Sequence, residues 1–354
     1  TLKPKTKRVI LFKNLLGFDI QRAISTVRNV VDSVKRVENI ENAMAELPQL
    51  IRRFGKGGLL FVSARYGREK VGEISDYLKN EGFKVLNYLE LSPSKLYKEM
   101  EVGDFDVAVG LANISNPLVR GIDLPGVIRY AIFFDVPKFV FPVKTEINPS
   151  SVYNLLVSIY PILTNEEKIR AGNYIRILSK YKTLKDLEKY PKVKERVLEA
   201  YNFLSSKFSD ERFIKSISES DEVSLESING ELYVTVADAA TYIQASGRTS
   251  RLFAGGLTKG LSLILYWDKK ALRSLERRIT YYFHTFEVEF KDFENLDVEE
   301  ILSEIDEDRR KFKEGLRGKG EDVFKTILVV VESPNKARTI ANFFGKPQTR
   351  IVGD

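Results

Sequence analysis

The sequence predicts an α/β fold: a mostly parallel sheet with helices on both faces, interrupted by a mainly helical insertion. Short apolar runs alternate with helical patterns up to residue 142, and the same rhythm returns after residue 228. Between them, residues 143–227 are helical in pattern and highly charged. Parallel strands need crossover helices, and those helices cover both faces of the sheet.

The elements follow in order. GGLLFVS (57–63) reads as a buried strand. The stretch 67–82 places Val71, Ile74, Tyr77 and Leu78 on one helical face. FKVLNY (83–88) is the next strand, and SPSKLYKEM (92–100) opens a helix with Ser92 as N-cap and Pro93 at its first position. DVAVGL (106–111) and VIRYAIFF (127–134) are further strands, as is LSLILYW (261–267). The run 298–317 reads as an exposed, charged connector helix. TILVVVESPNKARTIANFFG begins a new strand–loop–helix unit. The expected domains are 1–142 with 228–296, the insertion 143–227, a connector 297–325 and the start of another domain at 326–354. The two ends read as cut from something longer.

Composition narrows the chemistry. The chain has 354 residues, enough for two or three domains, and a formal net charge of +7. That balance is compatible with nucleic acid without specifying it. There is no cysteine, which excludes disulfides, thiolate metal sites and a cysteine nucleophile and fits a cytoplasmic protein. A single histidine, His284, in an aromatic setting reads as structural. No apolar run approaches the ~18 residues of a membrane span, and no signal peptide is visible. Abundant Lys and Glu with scarce Cys, Met and Gln lean toward a thermophile.

Two motifs carry chemistry. YIQASGRTSR (242–251) spaces Gln244, Arg248 and Arg251 by four and three residues, one face if the stretch is helical. Gly247 leaves room for close backbone approach. Arginine forks suit phosphate and can stabilise charge on a transferring phosphoryl group, although a solvated helix face would use the same residues. No G-x-x-x-x-G-K-[ST] phosphate cradle accompanies them. Upstream, VRGIDLP (119–125) follows a strand at the sheet end where ligands usually sit, with Arg120, Gly121 and Asp123 as candidates. LLFVSARYG (59–67) likewise ends a strand with Ser63 and Arg65 placed to meet a nucleic-acid backbone; Tyr66, Asn113 and Asn116 are further candidates. In VVVESPNKARTIANFFG, a strand delivers Glu332 to a loop, where a carboxylate can hold Mg²⁺, act as a general acid or merely cap the helix. Lys336 can meet a DNA phosphate.

In this order on a parallel sheet, the first three segments resemble the second RecA-like domain of a superfamily-two helicase. That family's cleft carries the cradle on its first domain and arginine fingers on its second. VVVESPNKARTIANFFG resembles the opening of the Toprim domain of type IA topoisomerases, where the matching glutamate is catalytic and binds metal. The two together resemble the reverse gyrases over nearly the whole chain, most strongly at 57–67, 106–137, 242–268 and 326–345. The family carries its latch where 143–227 lies. The resemblance implies ATP and Mg²⁺ as cofactors and DNA as partner. It also implies an upstream RecA-like domain, a downstream topoisomerase module and introduction of positive supercoils. Gln244, Gly121, Asp123, Arg248 and Arg251 would serve the nucleotide, Ser63, Arg65, Arg120 and Lys336 the DNA, and Glu332 cleavage. The later Toprim acids and the nucleophilic tyrosine are absent, so this stretch alone should not cleave DNA. A helicase or translocase half explains 57–268 but not VESPNKA, and a non-enzymatic DNA-binding module explains neither motif.

Overall fold

A computed structural model of the protein describes residues 28–144, 148–181, 190–228, 230–253, 256–282 and 288–315. The chain divides into two compact units, Thr1–Gly315 and Leu316–Asp354, and every described residue belongs to the first.

Seven strands form one parallel sheet: β1 (Val30–Arg36), β2 (Gly58–Ser63), β3 (Val85–Asn87), β4 (Val107–Ala112), β5 (Tyr130–Phe134), β11 (Gly260–Tyr266) and β12 (Lys291–Asp292). Their order across the sheet is β12-β1-β11-β5-β2-β4-β3, and a short antiparallel ribbon of β9 (Leu252–Phe253) and β10 (Gly256–Leu257) precedes β11. The central β2 is buried throughout. Its alternate side chains, Leu60 and Val62 against Leu59 and Phe61, enter different cores on the two faces. Gly58 is required there, because a Cβ would lie 2.3 Å from the Tyr130 ring.

On one face pack α1 (Ile40–Phe54), α2 (Gly67–Asn80) and α10 (Val298–Gly315); on the other pack α3 (Pro93–Val102), α8 (Ala239–Ser246) and α9 (Lys269–Tyr282). The expected Ser92 cap is present, its hydroxyl accepting from Lys95 N, and Pro93 stands in the first turn. Each buried Leu, Ile, Val or Phe contributes about 1.5–3 kcal/mol of hydrophobic stabilisation. The parallel α/β sheet covered on both faces is as the sequence predicts.

Two expectations change. Helix α10 is not an exposed connector. Val298, Ile301, Leu302 and Ile305 form an apolar stripe buried in the core shared with α1 and α2. Its many charges fill the remaining positions and hid the stripe. The insertion is wider than 143–227 and not only helical. A three-stranded antiparallel sheet, β6 (Lys138–Pro142), β8 (Glu231–Ala237) and β7 (Val223–Ile228), supports α4 (Pro149–Ile159), α5 (Asn165–Leu178), α6 (Pro191–Phe208) and α7 (Glu211–Glu219). These elements share a separate core that includes Leu156, Ala171, Val197, Leu204, Ile217 and Val234. ELYVTVA therefore belongs to the insertion, not to the returning parallel sheet. The neck closes where Asp238 N donates to Pro137 O at 2.8 Å.

Candidate functional site

Helix α8 ends at Ser246, and Gly247–Thr249 form a tight 3₁₀ turn. Gln244, Arg248 and Arg251 therefore do not share one helix face: Gln244 is exposed on α8, Arg248 is in the turn and Arg251 lies beyond it. The tightening brings the two arginines together by another route. Arg248 donates from Nε to Val119 O at 2.7 Å and from Nη1 to Ile122 O at 2.9 Å. Arg251 donates from Nη2 to the same Ile122 carbonyl at 3.1 Å and from Nη1 to Gly247 O at 3.0 Å. Its Nε lies 3.0 Å from Asp123 Oδ1, a carboxylate that is 74% exposed. Gly121 adopts φ +120°, a conformation only glycine takes easily, which lets the 119–123 backbone turn its carbonyls toward the arginines. A Cβ at Gly247 would meet nothing, so the space beside the turn is open.

The charge balance is uneven. Burial first, then the neighbouring Arg251 and Arg120, push the Arg248 guanidinium down to about 10, against the pull of Asp123. Burial lowers Arg251 as well, with Asp123 opposing. Asp123 thus opposes the charge of both Arg248 and Arg251, while Arg120 adds a like charge beside Arg248. Arg120 also borders a cleft of about 300 Å³ with Tyr97, Ser115, Pro117 and Ile122.

The turn lies at the N-terminal edge of the sheet, not at the C-terminal edge expected for VRGIDLP. Asn29 N, next to β1, donates to Ser250 Oγ at 2.9 Å, and Thr249 packs against Gly260 at the start of β11. The chain from 113 to 129 runs from one edge back to the other, carrying residues 119–123 away from the end of β4. A buried network anchors α8 there. Arg28 grips Asp32 through two hydrogen bonds of 2.6 and 2.5 Å and reaches Ser246 Oγ at 2.8 Å. Tyr242 OH donates to Asp32 Oδ1 at 2.5 Å, and burial with the Asp32 charge raises its pKa.

Of the candidate DNA residues, Arg120 lies beside the arginine turn, and Ser63 and Arg65 sit at the opposite edge. Ser63 is fully buried at the end of β2, its hydroxyl turned inward, so it presents nothing to a backbone phosphate. Arg65 is partly exposed and paired with Glu226 of β7 at 2.5 Å. Asn116 is buried, donating to Leu111 O and accepting from Leu118 N, whereas Asn113 is exposed and caps the turn at Ser115. Tyr66 OH donates to Asp135 at 3.1 Å. Asp135, at φ 67°, also accepts from Lys138 Nζ at 3.1 Å, forming a buried ion pair at the mouth of the insertion. Asp135, Glu226 and the Arg28–Asp32 pair carry no local motif, because burial and contacts with Lys138, Arg65, Tyr242 and Ser246 are what single them out. Glu332, Lys336 and His284 lie outside the described residues. Among the described residues no cluster of three or more His, Cys, Asp or Glu could hold a metal, and no helix is long and apolar enough to cross a membrane.

No family model matches the chain. Individual proteins do. It is 49% identical over 360 residues to reverse gyrase 2 of Aquifex aeolicus, covering 100% of this chain and 31% of that protein. It is 42% identical to the reverse gyrase of Pyrococcus horikoshii (99% and 23%) and 40% identical to that of Pyrococcus furiosus (98% and 30%). The chain thus spans less than a third of the length of these relatives. Among solved structures, Saccharomyces cerevisiae Dbp5 bound to RNA and ADP BeF3 is similar at 17% identity and a TM-score of 0.41, covering 78% of this chain and 45% of that one. The C-terminal domain of the DEAD-box protein Dbp5 gives 18% and 0.38, covering 79% and 99%. From end to end, the chain is homologous to one stretch of the reverse gyrases.

Proposed function

We propose that this chain is the second RecA-like helicase domain, with its latch and the start of the Toprim domain, of an ATP-dependent topoisomerase that introduces positive supercoils into DNA. One observation supports the nucleotide role above all: Arg248 and Arg251 lie together with only the exposed carboxylate of Asp123 opposing their charge, and Arg120 adds a third positive charge beside Arg248. Holding like charges together is unfavourable until an anion neutralises them, and a polyphosphate chain does so. The donor set fits ATP. Arg248 and Arg251 would face its phosphates and stabilise charge that develops on the transferring group, with Gly121 and Asp123 fixing their seat and Gln244 at the rim. The rest of the nucleotide site would come from an upstream RecA-like domain.

Arg65 and Arg120 would meet the DNA backbone. Glu332 and Lys336 would belong to the cleavage site, where Mg²⁺ would assist phosphate chemistry, completed by a downstream topoisomerase module. A cytoplasmic location belongs to the same reading. The test uses the full-length protein. Arg248→Ala should lower ATP hydrolysis by about 10²–10⁴-fold. Hydrolysis near the wild-type rate would remove the arginine-finger assignment. A plain helicase or translocase half is separated from this reading by Glu332→Ala. Loss of supercoiling with ATP hydrolysis retained supports the topoisomerase; supercoiling that survives the change excludes Glu332 from cleavage.

A further inference from the structure

Arg309 of α10 is 5% exposed, and its guanidinium makes four hydrogen bonds, all to backbone carbonyls. Nε and Nη2 donate to Ile128 O at 3.1 and 2.5 Å, Nη2 also to Thr249 O at 2.6 Å, and Nη1 to Lys259 O at 2.9 Å. Thr249 closes the turn that carries Arg248. Ile128 ends the loop whose Val119 and Ile122 carbonyls seat Arg248. Lys259 precedes β11, and its N–H donates to Asp308 at 2.6 Å. One side chain on α10 therefore holds both the turn that bears Arg248 and the loop that receives it.

A merely stabilising role is a poor explanation. A buried cation with no hydrogen-bonded carboxylate costs desolvation, and an apolar side chain of similar volume would often stabilise as well. Here α10 already has its apolar stripe and, along its length, the pairs Arg53–Glu299, Arg129–Asp306 and Lys259–Glu304. What only a planar, multiply donating fork supplies is fixed geometry among three separate carbonyls.

We infer that Arg309 is a positioning residue for the arginine turn, coupling any shift of α10 to the placement of Arg248. This rests on the reading of Arg248 as a phosphate-facing arginine. The coupling would act on the placement of charge toward the transferring phosphoryl group more than on nucleotide binding itself.

Steady-state ATP hydrolysis by the full-length protein tests it. Arg309→Lys keeps the charge but gathers its donors on one nitrogen, without the planar fork that spans the three carbonyls. Measured well below the unfolding midpoint, which should fall as buried carbonyls lose donors, kcat is expected to drop about tenfold and KM for ATP to stay within about twofold. Glu299→Gln, which removes only an exposed ion pair at the start of α10 and leaves the helix seated by its apolar stripe, should leave kcat unchanged. Combined with Arg248→Ala, Arg309→Lys should cost nothing more, since the group it positions is gone. Unchanged kcat in Arg309→Lys, with Arg248→Ala still inactive, overturns the inference and leaves the proposed function standing. Wild-type hydrolysis in Arg248→Ala overturns both. If Arg309→Lys does not fold, amide exchange of the wild type with and without AMP-PNP decides. Protection should change together in 247–251 and 305–312, and a change confined to 247–251 overturns the coupling.

Discussion

Arg248 spends two of its donors on carbonyls and still sits among like charges, the setting behind the proposal that it receives an anion. The same environment gives a pH dependence. Its pKa is depressed to about 10, so the charged form is disfavoured until an anion binds and draws the pKa back up. By linkage, phosphate binding takes up protons where Arg248 is partly neutral and weakens as pH rises through about 10. ADP affinity measured at pH 8 and pH 10.5 should show that loss in the wild type and a smaller one in Arg248→Ala; equal losses would contradict it. The spacing in YIQASGRTSR singled out two arginines that the fold brings to one carbonyl, that of Ile122. It did not reveal that a 3₁₀ turn, rather than a continuous helix, joins them. Arg309 stood unnoticed in a run of charges because its role depends on carbonyls brought from three distant segments.

Contacts between elements make the insertion more than an appendage. Glu226 of β7 pairs with Arg65 at the C-terminal edge of β2, so a carboxylate already occupies the arginine proposed to meet DNA. Glu226→Gln should free Arg65 and raise duplex DNA affinity several-fold at low salt; unchanged affinity would separate Arg65 from DNA. At the neck, Asp135 and Lys138 are both buried and paired. Asp135→Ala would leave a buried ammonium short of its partner and place alanine at positive φ, so stability should fall by about 3–5 kcal/mol, read by denaturant unfolding. A loss under about 1 kcal/mol would mean that Asp268, 3.5 Å from Lys138, carries the charge alone. Element type was legible where apolar runs were long, as in β2, β5 and β11. It was not legible for β7, where VSLESI alternates weakly; for α10 the helix was legible but its burial was not, because charge outnumbers the stripe.

On the scale of the molecule, the parallel sheet, its two covered faces and a separate insertion were all readable from rhythm alone. The insertion's true limits and the edge on which the arginine turn lies were not, since both depend on how the chain folds back between strands. Two surfaces follow, the arginine turn at one edge and Arg65 at the other. If DNA meets the basic surface through its phosphates, affinity should drop steeply between 50 and 200 mM salt, roughly in proportion to the contacts made. A flat response would mean that the net charge plays no part in binding. The most direct measurement is the topology of relaxed plasmid incubated with the full-length protein and ATP, resolved on two-dimensional gels. We expect positive supercoils with the wild type and none with Arg248→Ala. Absence of positive supercoils with the wild type, or equal supercoiling by both, would contradict an arginine-completed ATP site driving a topoisomerase.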